Sequence, residues 1–307
     1  MDWTPGGLSE DVEDRRGEGG GGGGGFNFGG GGGGLGIIGL LVLVIISLVT
    51  GRNFIGAYLS GGGGSSPQTT SQPYASPRPT PASPDEDRSA QLVSFTLGDV
   101  QQTWATLLPE QTNRNYRKAK LVLFTGYTRS GCGAAQSQSG PFYCPADEKV
   151  YIDLSFWNEL SRFGGSTADF AQAYVIAHEL GHHVQNILGI EQKVRQLSGQ
   201  NPSQRNHLSV DLELQADCFA GVWAHSSEQR NIVHESDIAD GLSAAAAVGD
   251  DHIQKMQRGS VSPESFTHGS SAQRMEWFKR GLSQGTVAAC NTFQSGTTPG
   301  GSDGDSQ

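Results

Sequence analysis

Apolar residues recur at strand and helix spacing mainly in the second part of the chain. Two segments rich in β-branched and aromatic residues, KAKLVLFTG at 118–126 and EKVYIDLSF at 148–156, predict strands. The stretch 164–189, GGSTADFAQAYVIAHELGHHVQNILG, has apolar residues at helical spacing and predicts a helix that ends at Gly189. A second helix is predicted over 209–224, SVDLELQADCFAGVWA.

An uninterrupted apolar stretch lies closer to the N-terminus, at 35–51, LGIIGLLVLVIISLVTG. Its 17 residues carry no charge, and this length is near the lower limit for crossing a hydrocarbon core about 30 Å thick. Because it has no polar face, it predicts one transmembrane helix. A cleaved signal peptide is the alternative, but the segment before the stretch is long and acidic instead of short and basic. Arg15 and Arg16 before it, against Arg52 after it, favour a cytoplasmic N-terminus and a C-terminal domain outside the cytoplasm.

Composition divides the remainder of the chain. Of the 45 glycines, 24 lie in the first 64 residues, and residues 1–34 are predicted to be a disordered glycine-rich segment because they cannot bury enough apolar surface. Residues 52–90 form a linker that is first rich in Gly and Ser and then in Pro. Residues 91–293 are long enough for one folded domain, and residues 294–307 are predicted to be a disordered polar tail.

Charge and cysteine content narrow the function classes. The net charge of −10 and the lack of a basic run exclude nucleic acid as an expected partner. All four cysteines follow the apolar stretch, and an even set suits disulfides in an oxidising compartment; four reduced, buried thiols are the alternative. Cys132 and Cys144 enclose a short loop, and Cys218 can pair with Cys290.

Three histidines lie within six positions of the first predicted helix. His178 and His182 are four residues apart and project from one face, so two imidazoles can reach one zinc ion. Glu179 lies about 100° further round the helix and can reach a water on the metal. This is the H-E-x-x-H pattern of metalloproteases, with two ligands and a general base. His183 lies beside Glu179 in angle and is predicted to be structural instead of a ligand.

The second predicted helix offers a third ligand. Glu213 and Asp217 share one of its faces at four-residue spacing, among apolar neighbours. Two such acids are most often solvated, but acids in apolar surroundings need a partner. Zinc is the expected partner of Glu213, and the imidazole N–H of a zinc-binding histidine is the expected partner of Asp217. Asp211 is off this face and is a weaker candidate.

Several separated motifs resemble the neutral zinc metallopeptidase family of bacteria. They are GPFYCPADEKVYIDLSF, AHELGHHVQ, ELQADCFAGVWA and HGSSAQRMEWF, together with VEDRRG near the N-terminus. The resemblance implies a zincin-like α+β fold, with a small mixed sheet above the H-E-x-x-H helix, behind one transmembrane helix in the bacterial inner membrane. The Glu213–Asp217 pair is similar to that of membrane-linked gluzincins, in which the Glu is the third ligand of one zinc ion.

The same resemblance implies hydrolysis of peptide bonds, with Glu179 accepting a proton from a zinc-bound water. In FTHGSSAQRMEWFKRG, His268 and Arg274 resemble the late His-then-Arg element of gluzincins and are candidate donors to the tetrahedral oxyanion. The alternative is a loop-ending histidine and a surface ion pair. The segment 148–156 either aligns an extended substrate by strand addition or is an ordinary core strand.

Two functions therefore remain open at this point. The first is a membrane-anchored zinc peptidase acting on peptides or proteins. The second is a non-catalytic, zinc-stabilised domain tethered to the membrane as a binding module or scaffold. Glu179 favours the peptidase, because a structural zinc site needs no carboxylate beside its first histidine and usually closes its fourth position with Cys or His.

Overall fold

A computed structural model of the chain describes residues 1–18 and 83–293. In these ranges it contains the strands β1 (Val12–Asp14), β2 (Lys120–Phe124), β3 (Tyr127–Ser130), β4 (Gly133–Gln136), β5 (Phe142–Cys144) and β6 (Lys149–Asp153). The helices in the same ranges are α1 (Pro84–Thr112), α2 (Phe156–Arg162), α3 (Asp169–Leu188), α4 (Ile190–Gln200), α5 (Arg205–Gln229), α6 (Glu235–Ala247), α7 (Asp250–Arg258) and α8 (Ser271–Gln284). The fold is a mixed α+β fold, as expected.

The main sheet has four strands in the order β1-β2-β6-β5. β1, β2 and β6 are parallel, whereas β5 runs antiparallel to β6. The segment predicted at 148–156 contains β6, which pairs with β2 along Lys149–Asp153 and with β5 over Lys149–Tyr151. Over Lys149–Tyr151 the strand is thus an ordinary paired strand, the second of the two alternatives, whereas Ile152 and Asp153 pair with β2 alone among the described strands. On this side the last strand of the sheet is β5.

The two faces of the sheet are buried by different parts of the chain. Leu121, Leu123 and Ile152 belong to the large core shared with the helices. Val122 and Tyr151 point to the opposite face and pack with residues of the β3–β4 hairpin and the β5 edge. Side chains of a strand alternate between the two faces of the sheet, and here both faces are covered. This explains why the sequence of β2 is almost continuously apolar.

The helices α5 and α8 touch backbone to backbone. A Cβ atom added at Gly281 would lie 1.9 Å from the carbonyl oxygen of Cys218, and one added at Gly221 would lie 2.1 Å from that of Phe278. Only glycine permits this approach on both helices. The contact sets α8 so that Arg274 reaches the Asp217 carboxylate on α5.

The domain begins earlier than the predicted boundary at residue 91. Ser83 forms a capping box at the start of α1: its Oγ accepts a hydrogen bond from the Glu86 N–H at 3.2 Å, and the Glu86 carboxylate accepts one from the Ser83 N–H at 2.8 Å. Pro84 occupies the first turn, where a missing N–H costs little. The Ser, Pro and acidic residues that look like linker are thus the start of a helix.

The N-terminal segment also differs from the expectation of disorder over residues 1–34. Residues 1–18 lie on the domain, and β1 adds a strand to the sheet beside β2. The predicted transmembrane helix at 35–51, most of the linker and the tail at 294–307 lie outside the described residues. Among the described helices, none is long and apolar enough to span a membrane.

Both expected disulfides are present. Cys132 is bonded to Cys144 across the loop that follows β3, and Cys218 on α5 is bonded to Cys290 near the C-terminal end of the domain. No cysteine of the chain is left free. The alternative of four reduced thiols is therefore wrong.

Candidate metal centre

Two imidazoles and one carboxylate converge between α3 and α5. Ligand atoms of His178, His182 and Glu213 all lie within 4.8 Å of one another. Nε2 of His178 is 3.2 Å from one carboxylate oxygen of Glu213, and Nε2 of His182 is 3.6 Å from the other. Ligands placed about 2 Å from a tetrahedral metal are separated by about 3.3 Å, so these spacings fit a shared ion. The cluster could hold a metal.

Gly181, inside the H-E-x-x-H motif, allows α3 and α5 to approach each other at the cluster. A Cβ atom at this position would lie 3.0 Å from the carbonyl oxygen and 3.1 Å from the Cα of Ala216. Ala216 is one turn from Glu213 on α5. The close contact therefore brings the carboxylate of one helix to the histidines of the other.

His178 is oriented by a buried carboxylate on its far side. Its Nδ1 donates to Asp217 at 2.8 Å, which leaves Nε2 on the side of Glu213. Asp217 also accepts hydrogen bonds from Arg274, through Nε and Nη2 at 2.9 Å each, and from the Tyr174 hydroxyl. Burial opposes the charge of Asp217, but Arg274 and His178 hold the pKa of this carboxyl below its ordinary value.

Arg274 does not occupy the place expected of an oxyanion donor. Its guanidinium is buried, with two N–H groups on Asp217 and a third 3.4 Å from the Val248 carbonyl oxygen. It thus lies on the Nδ1 side of His178, away from the Nε2 that faces Glu213. The physical reason is the fully buried Asp217 charge, which requires a cation beside it. The structure supports a positioning role for Arg274.

His182 is oriented by a second buried side chain. Its Nδ1 donates to Oε1 of Gln185 at 2.8 Å, one turn further along α3. The amide nitrogen of Gln185 donates to the Leu212 carbonyl oxygen at 2.7 Å and to the Gln215 amide oxygen at 3.1 Å. Both histidines therefore have Nδ1 engaged and Nε2 available, which is the arrangement of a metal-binding imidazole whose other ring nitrogen is held by a neighbouring hydrogen-bond acceptor.

Glu179 lies next to the cluster and is only 7% exposed. Burial raises the pKa of its carboxyl above the ordinary value, and the imidazoles of His178 and His182 oppose this shift. Burial would lower the pKa of His178, but Asp217 and Glu213 raise it to about 10. A metal bound at Nε2 would therefore have to displace a proton from this imidazole.

His268 approaches the cluster from the loop before α8. Its Nδ1 lies 3.2 Å from an Asp250 carboxylate oxygen, and its backbone N–H donates to the other oxygen at 2.6 Å. Burial opposes its protonation, but Asp250 and the nearby Glu213 raise the pKa of the imidazole above its ordinary value. The imidazole of His268 is partly exposed and could be reached by a substrate. Its expected role as an oxyanion donor stays a prediction.

His183 has the structural position predicted for it. It is fully buried, and its Nε2 donates to the Arg117 carbonyl oxygen at 2.6 Å. Its Nδ1 accepts from the Tyr143 hydroxyl at 2.9 Å, since burial lowers the pKa of His183 and favours the neutral ring. Tyr143 belongs to β5, so this bond fastens α3 under the β5 side of the sheet.

The profile of the family described as "Putative neutral zinc metallopeptidase" matches residues 1–293. The chain belongs to this family. The family name indicates zinc as the metal, and two imidazoles with one carboxylate are the donor set of catalytic zinc sites that keep a fourth position open.

Relatives with similar sequences include two proteins whose names describe them as uncharacterized. The chain is 48% identical over 296 residues to the uncharacterized protein YpfJ of Escherichia coli strain K12, covering 95% of this chain and 99% of that protein. It is 42% identical over 221 residues to the uncharacterized protein Rv2575 of Mycobacterium tuberculosis strain H37Rv, covering 68% of this chain and 72% of that protein. No solved structure matches the chain.

Three residues of the site, Tyr174, Gln185 and Asp250, were not among those predicted from the sequence. Tyr174 lies four positions before His178 and Gln185 three positions after His182, so helical spacing alone would place both on the ligand face. Asp250, which holds His268, is on α7 and 18 positions away. No spacing rule connects these two residues, because α7 and the loop before α8 meet only through the tertiary fold.

Proposed function

We propose that the chain is a zinc-dependent peptidase that hydrolyses peptide bonds in peptide or protein substrates. The observation that carries the proposal is the position of Glu179, buried directly beside a cluster of two imidazoles and one carboxylate. A zinc site that only stabilises a fold needs no such carboxylate. Membership of a family described as zinc metallopeptidases supports the same activity.

In this proposal His178, His182 and Glu213 hold one zinc ion, which when bound supplies Lewis-acid polarisation of water and of the scissile carbonyl. Glu179 takes a proton from the attacking water and passes it to the leaving amine. Its raised pKa suits this role, because a carboxyl that titrates nearer to neutral pH can both accept and return a proton. His268, held by Asp250, donates to the oxygen that becomes negative.

The sheet suggests where an extended substrate would lie. β5 is the last strand on its side of the sheet, and Tyr143 within it is bonded to His183, the neighbour of His182 on α3. A peptide that adds to the outer edge of β5 would run past the cluster, with its backbone held by hydrogen bonds and its side chains alternating. It is preferred to β6, which pairs with β2 along its whole length and with β5 over Lys149–Tyr151.

We place the domain outside the cytoplasm, attached to the membrane through the apolar residues 35–51. Two disulfides support this location, because disulfides persist in oxidising compartments and are rare in the cytosol. The substrates would then be peptides or proteins of the cell envelope.

The activity can be tested with the full chain in detergent, loaded with zinc and incubated with a complex peptide library. We expect cleavage by the wild type and a loss of at least about 100-fold in Glu179→Gln, because general acid–base catalysis contributes about 10²–10⁴-fold. Glu159→Gln, on the remote helix α2, is a matched control that should retain activity.

Zinc content separates the peptidase from a scaffold. The Glu179→Gln chain should bind one zinc ion as the wild type does, since Glu179 is not a member of the cluster. If zinc is bound and neither the wild type nor the control cleaves any peptide, the proposal fails and a non-catalytic zinc-stabilised module takes its place.

A further inference from the structure

The N-terminal residues form an integral part of the main sheet. β1 pairs in parallel with β2, with Val12 opposite Leu121 and Asp14 opposite Leu123. The Leu121 N–H donates to the Asp11 carbonyl oxygen at 2.8 Å, and the Arg15 N–H donates to the Leu123 carbonyl oxygen at 2.7 Å. β1 therefore satisfies the backbone groups on the β2 edge, which would otherwise be an unpaired edge beside a buried strand.

Charged side chains of the same segment match charges on the domain. The Asp11 carboxylate is 3.0 Å from the amines of both Lys118 and Lys120, and Asp11 is only 7% exposed. The Glu13 carboxylate lies 2.6 Å from the Lys149 amine on β6. A buried acid needs a partner, and here Lys118 and Lys120, just before and at the start of β2, provide it. The positions of these acidic and basic residues therefore favour pairing of this particular segment with the β2 edge.

The first residues are held at a different part of the domain. The α-amino group of Met1 lies 2.7 Å from an Asp237 carboxylate oxygen on α6. The Trp3 indole donates to Asp169, at the start of α3, at 2.7 Å, and the Arg88 guanidinium lies over the same indole ring at 5.2 Å. The segment 1–18 therefore contacts the sheet, α1, α3 and α6 and is spread across the domain surface.

From these contacts we infer that residues 1–18 and 83–293 lie on the same side of the membrane, docked as one folded unit. The apolar residues 35–51 separate the two parts in sequence. A single crossing there would put about 30 Å of hydrocarbon between β1 and β2. Neither the strand pairing nor the Asp11–lysine contacts could form across it. The expected arrangement, in which residues 35–51 cross the membrane once and the N-terminus lies in the cytoplasm, is thus replaced by one in which both described parts lie on one side. This inference does not depend on the proposed function.

Cysteine labelling of the full chain in spheroplasts can show on which side of the membrane each of the two parts lies. All four native cysteines are in disulfides, so one added cysteine is the only free thiol. Gly7→Cys and Gly199→Cys are matched variants, because an added side chain at either position meets no atom within 4 Å. With a membrane-impermeant maleimide we expect the same labelling of both before lysis. Labelling of one and protection of the other until lysis would overturn the inference.

Docking of residues 1–18 on α1 can be tested with a pair of added cysteines. The Ser9 N–H donates to the Ser94 hydroxyl oxygen at 2.9 Å, so Ser9→Cys/Ser94→Cys should form a disulfide under mild oxidation of native membranes. Thr4→Cys/Ser94→Cys is the control, since Thr4 has no described contact with Ser94. Mass mapping should find the linked peptide in the first variant only. Its absence there, with same-side labelling, would overturn the docking of residues 1–18 on α1.

Discussion

The Asp217 carboxylate lies 2.8 Å from Nδ1 of His178, on the side of the imidazole that faces away from Glu213. Asp217 is fully buried, and Arg274 holds it through two hydrogen bonds of 2.9 Å. The orientation of His178 is therefore set by a pair of charges inside the core. Loss of either charge would leave the other buried without a partner, and the position of Nε2 would change with it.

Asp217→Asn should weaken zinc binding and the fold together. We expect zinc affinity to fall about 10- to 100-fold, as when other residues that hydrogen-bond a metal-binding histidine are replaced. The free energy of unfolding should fall by roughly 3–5 kcal/mol, because the Arg274 charge stays buried. Chelator competition and denaturant unfolding measure the two effects. Asp211→Asn, on the same helix and outside the cluster, should leave zinc affinity unchanged; an equal loss there would contradict the assignment.

Gln185→Leu should affect the second histidine in the same way. The substitution removes the acceptor of His182 Nδ1 and the donor to the Leu212 carbonyl oxygen. We expect zinc affinity to fall about 10-fold or more and stability to fall by about 1–3 kcal/mol. Gln172→Leu is the control, because this buried glutamine of α3 bonds only the Thr167 carbonyl oxygen. It should lose stability with no change in zinc affinity.

His268→Gln tests the proposed oxyanion donor. If His268 donates to the developing negative charge, kcat should fall about 10²–10³-fold while zinc content stays at the wild-type level. His252→Gln is the matched substitution, since His252 donates to the Phe163 carbonyl oxygen and is not part of the cluster. Steady-state kinetics with a peptide cleaved in the library assay measure kcat and KM of both variants, and His252→Gln should keep the wild-type kcat. A rise in KM with unchanged kcat in His268→Gln would assign His268 to substrate binding instead.

The two disulfides should differ in their effect on stability. In the chain-entropy treatment, a loop closed over 72 positions, as by Cys218–Cys290, contributes about 4 kcal/mol. The loop of 12 positions closed by Cys132–Cys144 contributes about 3 kcal/mol. Replacing each pair by serines and measuring urea unfolding checks this order. Equal or reversed losses would show that native-state contacts outweigh the loop-closure effect.

Asp11→Asn should change the acid sensitivity of the fold. Burial alone would raise the pKa of Asp11, but Lys118 and Lys120 lower it below the ordinary value of 3.8 in the folded chain. The stabilisation is therefore fully present above pH 3.8 and is lost as the pH falls through the folded-state pKa. The stability difference between wild type and Asp11→Asn should be largest near neutral pH and should close in acid. A difference that does not change with pH would mean that Asp11 acts without its charge.

Local rules were sufficient for the parts of the site that lie on one helix. His178, Glu179 and His182 follow from the rise and turn of a helix, and Glu213 with Asp217 follow from the same four-residue spacing. The partners across helices could not be obtained in this way. Arg274 reaches Asp217 because Gly221 and Gly281 let α5 and α8 touch, and no local pattern states which helices touch.

The N-terminal segment shows the same division. Its glycine-rich continuation has the composition of a disordered segment, and this led the whole range 1–34 to be predicted as disordered. Residues 12–14 nevertheless form a strand because β2 offers an edge and Lys118, Lys120 and Lys149 offer charges that match Asp11 and Glu13. A three-residue strand has too little sequence of its own to be recognised without that partner.

The sequence by itself determined the two central strands, the two ligand-bearing helices, the disulfide candidates and the resemblance to zinc metallopeptidases. These depend on periodicity within one segment or on motifs of fixed spacing. The tertiary structure alone decided that β6 is interior, that Arg274 and Asp250 hold other site residues, and that residues 1–18 complete the sheet. Each of these depends on which distant surfaces meet, and that is settled by burial and charge pairing across the whole fold.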